Sequence, residues 1–352
     1  MSLYLNKVYF VAGLLLIATI FQNCSSKLSS SSSKNGENDS HGEAEITLEI
    51  RTAAATETAN TNPNCIPSEL TEGFYWEIGD RDGIKASGTV MGTNTPSSTQ
   101  VIAIASASKW IYSTYALQKI GSFRSSDLPF FNFTSGYISP PGKEATCSYG
   151  ETVGECAAGI NQVPAAINKF FYSAGHFQYH ATNVLGIGAM NAAELTTEVL
   201  GQLGSFDFTY LQTNLAGGVN ASASSYASFL QKILRGEYVI SPYLGQNKVC
   251  ASAACASGAV LSPAPPDEEW NYSLGHWVED DPVLGDGAFS SAGALGFYPW
   301  IDASKKWYGI LARRADSTGG NQGFRSINCG RLIRQAWMTG VTVTDTTPNP
   351  KK

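Results

Sequence analysis

An α+β fold is predicted, with one antiparallel sheet formed from both chain ends, a terminal helix and an inserted helical lobe. Three observations predict it. Strand-like runs cluster over residues 73–105 and again over 271–312. Between them, residues 174–203 and 222–235 repeat their apolar positions at 3.6-residue spacing. A last helical stretch, 330–338, follows the final strand. Strands flanking a helical middle bring the two ends into one sheet, and a site is expected where the lobes join.

The chain opens with Lys7 and an apolar run over 8–21, ending near Cys24. A basic start and a short apolar run read as an export signal, because a membrane span needs ~20 apolar residues. The expected boundaries are a signal peptide over 1–23, a Ser/Thr/Asn-rich tether over 24–64, a folded domain over 65–340 and a disordered tail over 341–352. The tether carries too little apolar surface to fold. Inside the domain, 73–78 and 84–91 read as strands around the turn Asp80-Arg81-Asp82-Gly83. The alternating run 99–105 reads as a third strand, and 110–120 as a helix closed by Gly121. After a loop-rich stretch and the helical lobe, strands are expected over 271–278, 294–301 and 307–312.

A net charge of −6 without a basic stripe excludes nucleic acid as a partner. Apart from Cys24 there are six cysteines, an even number behind an export signal, which argues for disulfides in an oxidising compartment. The spacings suit Cys147–Cys156 and Cys250–Cys255, leaving Cys65 and Cys329 to tie the ends together. No Cys/His spacing suits zinc, and neither metal nor cofactor is expected.

Ser106-Ala107-Ser108-Lys109 is the most informative stretch. It joins a strand to a helix, so Ser106 stands at a helix N-terminus, where free N–H groups favour developing negative charge. Lys109 follows one turn later, within reach of the serine hydroxyl, as a lysine-activated nucleophile requires. The bland alternative is an ordinary N-cap serine. The same Ser-x-x-Lys pattern at Ser31 to Lys34 sits in low-complexity sequence and carries nothing. The four histidines, His41, His176, His180 and His276, offer no competing triad, and no Gly-x-Ser-x-Gly elbow occurs. His176, near Tyr172, is a candidate for the pocket lining.

Residues 101–109 resemble the strand and nucleophile helix of the serine β-lactamase, penicillin-binding protein and family VIII-like carboxylesterase superfamily, class C-like branch. Thr134-Ser135-Gly136, Ala216-Gly217-Gly218 and Tyr272-Ser273-Leu274-Gly275 resemble further landmarks of that superfamily, in the same order. The resemblance covers about residues 72 to 338. It implies a β-lactamase-like fold with Ser106 as nucleophile, Lys109 as its activator and a tyrosine completing the site. Two tyrosines fit that motif. Tyr172 stands just before a helix, with Ser173 a plausible N-cap. Tyr179 would lie within the helix, on the side away from its apolar face, so Tyr172 is preferred. In either register the motif's asparagine is an alanine, Ala174 or Ala181.

Ser291-Ala292-Gly293 stands where the superfamily has Lys-Thr-Gly or His-x-Gly. The resemblance implies that Ser291, Ala292 and Gly293 flank the substrate and that the N–H groups of Ser106 and Ala294 form the oxyanion hole. The cation that grips a carboxylate is missing from this motif. Arg313 or Arg314 could replace it, although surface solvation is the expected state of both. Phe21-Gln22-Asn23-Cys24 resembles a relaxed lipobox, implying lipidation at Cys24; a plainly cleaved signal is the alternative.

The expected function is a serine hydrolase working through an acyl-enzyme on an ester or small amide, with a catalytically impaired binding protein as the alternative. The expected partners are a small-molecule or peptidoglycan-like substrate and a membrane reached through the lipid anchor. A monomer in the bacterial periplasm or at the cell surface is expected.

Overall fold

The computed structural model describes residues 45–66, 72–140, 147–255, 258–315 and 321–349. The expected signal peptide and Cys24 lie outside them. From the N-terminal side the chain runs through α1 (Leu48–Thr61), β1 (Phe74–Asp80), β2 (Gly83–Val90) and β3 (Ile102–Ala103). A 3-10 turn, Ala105–Ala107, leads into α2 (Ser108–Ile120). The middle holds α3 (Leu128–Phe131), β4 (Tyr137–Ile138), α4 (Val153–Cys156), β5 (Asn161–Gln162), α5 (Gly175–Asn183) and α6 (Ala192–Leu203). It continues through β6 (Thr209–Tyr210), β7 (Val219–Ala221) and α7 (Ala223–Leu234). The rest is β8 (Val249–Cys250), β9 (Asn271–Ser273), β10 (His276–Glu279), β11 (Ala288–Ser290), β12 (Phe297–Ile301), β13 (Trp307–Arg313) and α8 (Gln322–Thr339).

The main sheet has the order β2-β1-β13-β12-β11-β10-β9-β8, so strands from the two chain ends meet at the β1–β13 pair. Every residue of β12 and β13 is buried, as a strand covered on both faces should be. The neighbours Phe297 and Tyr298 point to opposite faces. Phe297 meets Tyr226 of α7, while Gly330 of α8 lies against Tyr298, so one helix covers each face. This is the α+β arrangement expected from the order of the elements.

Several local expectations need correction. The run 99–105 forms a strand only at Ile102–Ala103, because Ala105 turns to φ 46° and breaks the ladder. The run 271–278 is a hairpin of β9 and β10, reversed at Leu274 (φ 45°) and Gly275 (φ 81°), the left-handed pair a two-residue turn needs. A Cβ at Gly275 would stand 2.1 Å from the Ser113 hydroxyl of α2, so glycine lets this hairpin abut the helix. The helix expected over 174–203 is two, α5 and α6, separated at Gly186 (φ 70°). The final helix starts earlier than expected, at Gln322.

Part of the stretch expected to be a tether, Leu48–Thr61, is helical. Thr47 caps it, and its buried face is made of Ala54, Ala55, Thr58 and Ala59, small residues that let it lie close to α8. Arg51 donates to the Trp337 carbonyl at 2.6 Å. Part of the expected tail is also held: Val343 donates to Thr58 Oγ1 at 2.9 Å and Asn62 donates to the Val343 carbonyl at 2.9 Å. Composition misleads here because alanine and threonine contribute little hydropathy yet pack well against a partner far along the chain.

All three expected cysteine pairs lie at bonding distance: Cys65–Cys329, Cys147–Cys156 and Cys250–Cys255. Buried charge also fixes α8. Arg334 contacts Glu279 at 2.7 Å, Asp286 at 2.6 Å and the Tyr298 hydroxyl at 2.8 Å. Losing one partner of such a group costs about 3–5 kcal/mol, because the other charge stays buried.

Removing the Cys65–Cys329 link, which spans 264 residues, should lower stability by about 5–6 kcal/mol in the chain-entropy account, less any strain in the native link. Denaturant titration of Cys65→Ser/Cys329→Ser should read this as an earlier midpoint; an unchanged midpoint would contradict it.

The buried histidines predict a pH dependence. Burial pulls His176 and His180 down to about 4 and His276 to about 3, from an ordinary 6.5. The unfolded chain therefore takes up these protons first. Stability should be unaffected by them above pH 6.5 and fall as pH drops from 6.5 towards about 4. A thermal midpoint that stays level across that interval would contradict the assignment.

Candidate active site

The turn that carries Ser106 starts from a three-stranded sheet of order β3-β7-β6. β3 pairs with β7, and the Ile104 N–H donates to the Val219 carbonyl at 3.1 Å. Ala105 then adopts φ 46°, uncommon for a residue with a side chain. The Ser108 hydroxyl holds that turn, donating to the Ala105 carbonyl at 2.6 Å and accepting from Val219 N at 3.2 Å. The Ser291 hydroxyl donates to the Ser106 carbonyl at 3.2 Å, and the Tyr226 hydroxyl to the Ala107 carbonyl at 2.9 Å. Ser106 is thus pinned before α2 begins.

Lys109, 5% exposed, donates from Nζ to Ser106 Oγ at 2.9 Å and to the Ala216 carbonyl at 2.8 Å. The Ala216-Gly217-Gly218 turn that offers this carbonyl is shaped by Asn214, whose side chain accepts from Ala216 N and whose carbonyl accepts from Gly218 N. A Cβ on Gly218 would meet the Gln212 carbonyl oxygen at 2.5 Å, so the turn needs glycine there.

Tyr172 reaches the same place from the loop before α5. Its ring lies 4.6 Å from Lys109 Nζ, and it lines the same cavity as Ser106. Burial pushes the phenol up to about 12, with the Ser106 hydroxyl pulling the other way. The ring runs parallel to Trp277 at 5.5 Å. Its backbone N–H donates to the Leu261 carbonyl at 2.9 Å. Tyr179, the other candidate, stacks on Tyr137 with centroids 3.5 Å apart and does not line the Ser106 cavity. The N-cap of α5 is Ala174; the Ser173 hydroxyl accepts instead from Gly175 N and Ser139 N.

The cavity brings Ser106, Tyr172, Ala292, Gly293 and Ala294 together. Gly293 is there because nothing larger fits: a Cβ would lie 2.1 Å from the Ile104 carbonyl oxygen. Ser291, expected as a substrate contact, does not line the cavity. It is buried, and its hydroxyl is spent on the Ser106 carbonyl. His176 is likewise fully buried behind Tyr172: its Nδ1 pairs with the Ser135 hydroxyl at 2.7 Å and its Nε2 with the Phe171 carbonyl at 2.9 Å. Arg313, expected at the surface, is buried over Phe74, donates to the Glu72 carbonyl and is pulled down to about 10 by desolvation. It does not reach the cavity, and Arg314 is exposed outside it.

Sequence reasoning missed the far wall of the cavity, formed by Pro263, Pro265, Trp270, Trp277 and Phe324. The Pro-Ala-Pro-Pro run and the clustered tryptophans were visible, but nothing local says that they face Ser106. The Ala216 carbonyl that holds Lys109 was likewise visible only as a turn.

No protein-family model and no curated protein sequence matches the chain. Solved structures do. A β-lactamase from Mycobacterium bovis superposes with a TM-score of 0.55 at 15% identity, covering 78% of this chain and 97% of that one. The octameric penicillin-binding protein homologue from Pyrococcus abyssi gives 0.54 at 13% identity, covering 84% of this chain and 77% of that one. EstCE1, a hydrolase with promiscuous acyltransferase activity, gives 0.50 at 11% identity over 79% and 98%. At these identities the likeness is one of fold: the chain has the β-lactamase-like fold that these β-lactamase, penicillin-binding protein homologue and hydrolase structures share.

Proposed function

We propose that this protein is an exported serine hydrolase, anchored by a lipid on Cys24, that cleaves an ester or small amide through an acyl-enzyme on Ser106. The observation that carries the reading is the 2.9 Å bond between Lys109 Nζ and Ser106 Oγ in a site closed by Tyr172. In the proposed reaction Ser106 Oγ bonds to the substrate carbonyl carbon and passes its proton to the Lys109 amine. The N–H groups of Ser106 and Ala294 receive the oxyanion, and the leaving group departs with the proton, relayed by the Tyr172 hydroxyl. Water then bonds to the acyl carbon, gives a proton to Lys109, and the acid leaves as Ser106 regains its hydrogen.

Tyr172, pushed up to about 12, stays protonated at neutral pH, so it serves as a donor and relay while Lys109 accepts. A penicillin is the poorer fit, because the asparagine position is Ala174 and the carboxylate-gripping position carries Ser291 and Ala292. The same absences favour a second reading, a binding protein that keeps the fold without turnover.

Fluorophosphonate labelling with peptide mapping separates the two. The hydrolase reading expects one adduct, on Ser106, and none in Ser106→Ala. An adduct that persists in that variant would contradict it, and no adduct at all would favour the binding protein. On a small ester, Tyr172→Phe should lower kcat by ~10²-fold, the scale of a lost proton-transfer group, and Tyr179→Phe should change it little. Tyr172 stays protonated through the neutral range, so a falling limb of the rate there would contradict its role as donor.

A further inference from the structure

The cavity beside Ser106 has a volume of about 160 Å³, close to the ~150 Å³ of an apolar cavity that accommodates one benzene molecule. Its floor is Ser106 and the Ala292–Ala294 backbone, and its far wall is Pro263, Pro265, Trp270, Trp277 and Phe324. No lysine, arginine, histidine or carboxylate is among the described residues that line it. Lys109 Nζ is covered by the Tyr172 ring. The Arg331 guanidinium lies 5.6 Å from the Trp270 ring, yet it is only 3% exposed and pairs with Glu268 at 2.9 Å. An anion entering here would lose its water without meeting a countercharge on any described residue that lines the cavity.

The wall is also built before any ligand arrives. Trp270 donates its indole N–H to Glu268 at 2.9 Å and meets Trp277 edge-on at 5.8 Å. The proline segment is hung on the loop closed by Cys250–Cys255: the Ser252 hydroxyl donates to the Pro265 carbonyl at 3.3 Å, and Ala259 N to the Ser252 carbonyl at 3.2 Å. Phe324 belongs to the first turn of α8, which Gly323 brings against the Gly293 carbonyl; a Cβ there would sit 3.1 Å from that oxygen. A hydrophobic slot of fixed shape thus stands next to the nucleophile.

We infer that the substrate of this site is an uncharged ester or amide carrying a single aryl-sized apolar group next to the scissile carbonyl, selected by Trp270 and Phe324. The inference rests on the hydrolase reading for its chemistry, but the slot itself does not depend on turnover. It is tested with four esters followed by acid release: methyl acetate, methyl phenylacetate, its isomer benzyl acetate, and monomethyl succinate. At least one aryl ester should exceed methyl acetate and monomethyl succinate in kcat/KM by ~10²-fold, the range a well-filled apolar pocket supplies. Which isomer wins tells whether the slot takes the acyl or the alcohol side. Phe324→Ala should cut the aryl-to-methyl ratio by ~10-fold, and Phe324→Arg should move preference towards the succinate.

A parallel arm uses Ser106→Ala, which cannot turn over, and reads saturable quenching of tryptophan fluorescence by methyl phenylacetate or benzyl acetate. Ser106-dependent turnover that favours methyl acetate or succinate would overturn the aryl slot and leave the hydrolase standing. Saturable binding that Phe324→Arg abolishes, with no turnover of any ester, would overturn the hydrolase and support the slot. Absence of both would overturn the inference.

Discussion

The close approach of Gly293 to the Ile104 carbonyl is the constraint on which the site depends. Gly293 follows β11 of the eight-stranded sheet, and Ile104 follows β3 of the three-stranded one. Where they touch, no side chain fits, since a Cβ would come within 2.1 Å of the carbonyl oxygen. That contact sets Ala294 and Ser106 around one cavity, and Ser291 reinforces it with its bond to the Ser106 carbonyl. The strained turn at Ala105 is affordable because Ser108, Tyr226 and Ser291 all hold its neighbours.

Around this junction, charge is segregated. Arg331 and Arg334 are buried among Glu268, Glu279 and Asp286, where they fasten α8 to the β10–β11 region. Glu77, between Tyr75 and Tyr308, is held in the sheet and shifted upward by burial. None of these groups lines the cavity, whose polar surface comes from Ser106, Tyr172, Asn321 and backbone. Charge therefore stabilises the frame while the described lining of the pocket stays neutral, and the Lys109 amine is kept beside Ser106.

How much of this was legible follows from how local each feature is. Ser106 and Lys109 meet because three helical positions bring them together, so their proximity could be read directly. Gly121 ends α2 in the left-handed conformation that glycine adopts easily, and that too was legible. Tyr172 could be separated from Tyr179 only through the argument that one precedes the helix and the other lies inside it. The helix α1 was not legible, since its small buried face packs on α8 and β2, and Ala54 clusters with Leu332, Ala336 and Val343, far along the chain. Nor was the cavity wall: Pro265, Trp270 and Phe324 converge through tertiary packing that no periodicity records. Ser291 shows the limit of a motif, because its place was right and its role is a clasp on the Ser106 backbone.

The central claim is that Ser106 becomes covalently acylated with Lys109 as its proton acceptor. The most direct measurement is acid-quenched peptide mass analysis after rapid mixing with an activated aryl ester. The account predicts an acyl mass increment on the Ser106 peptide that appears in milliseconds to seconds, decays on turnover and is absent from Lys109→Met. An increment on another residue, or one that forms equally fast without Lys109, would contradict it.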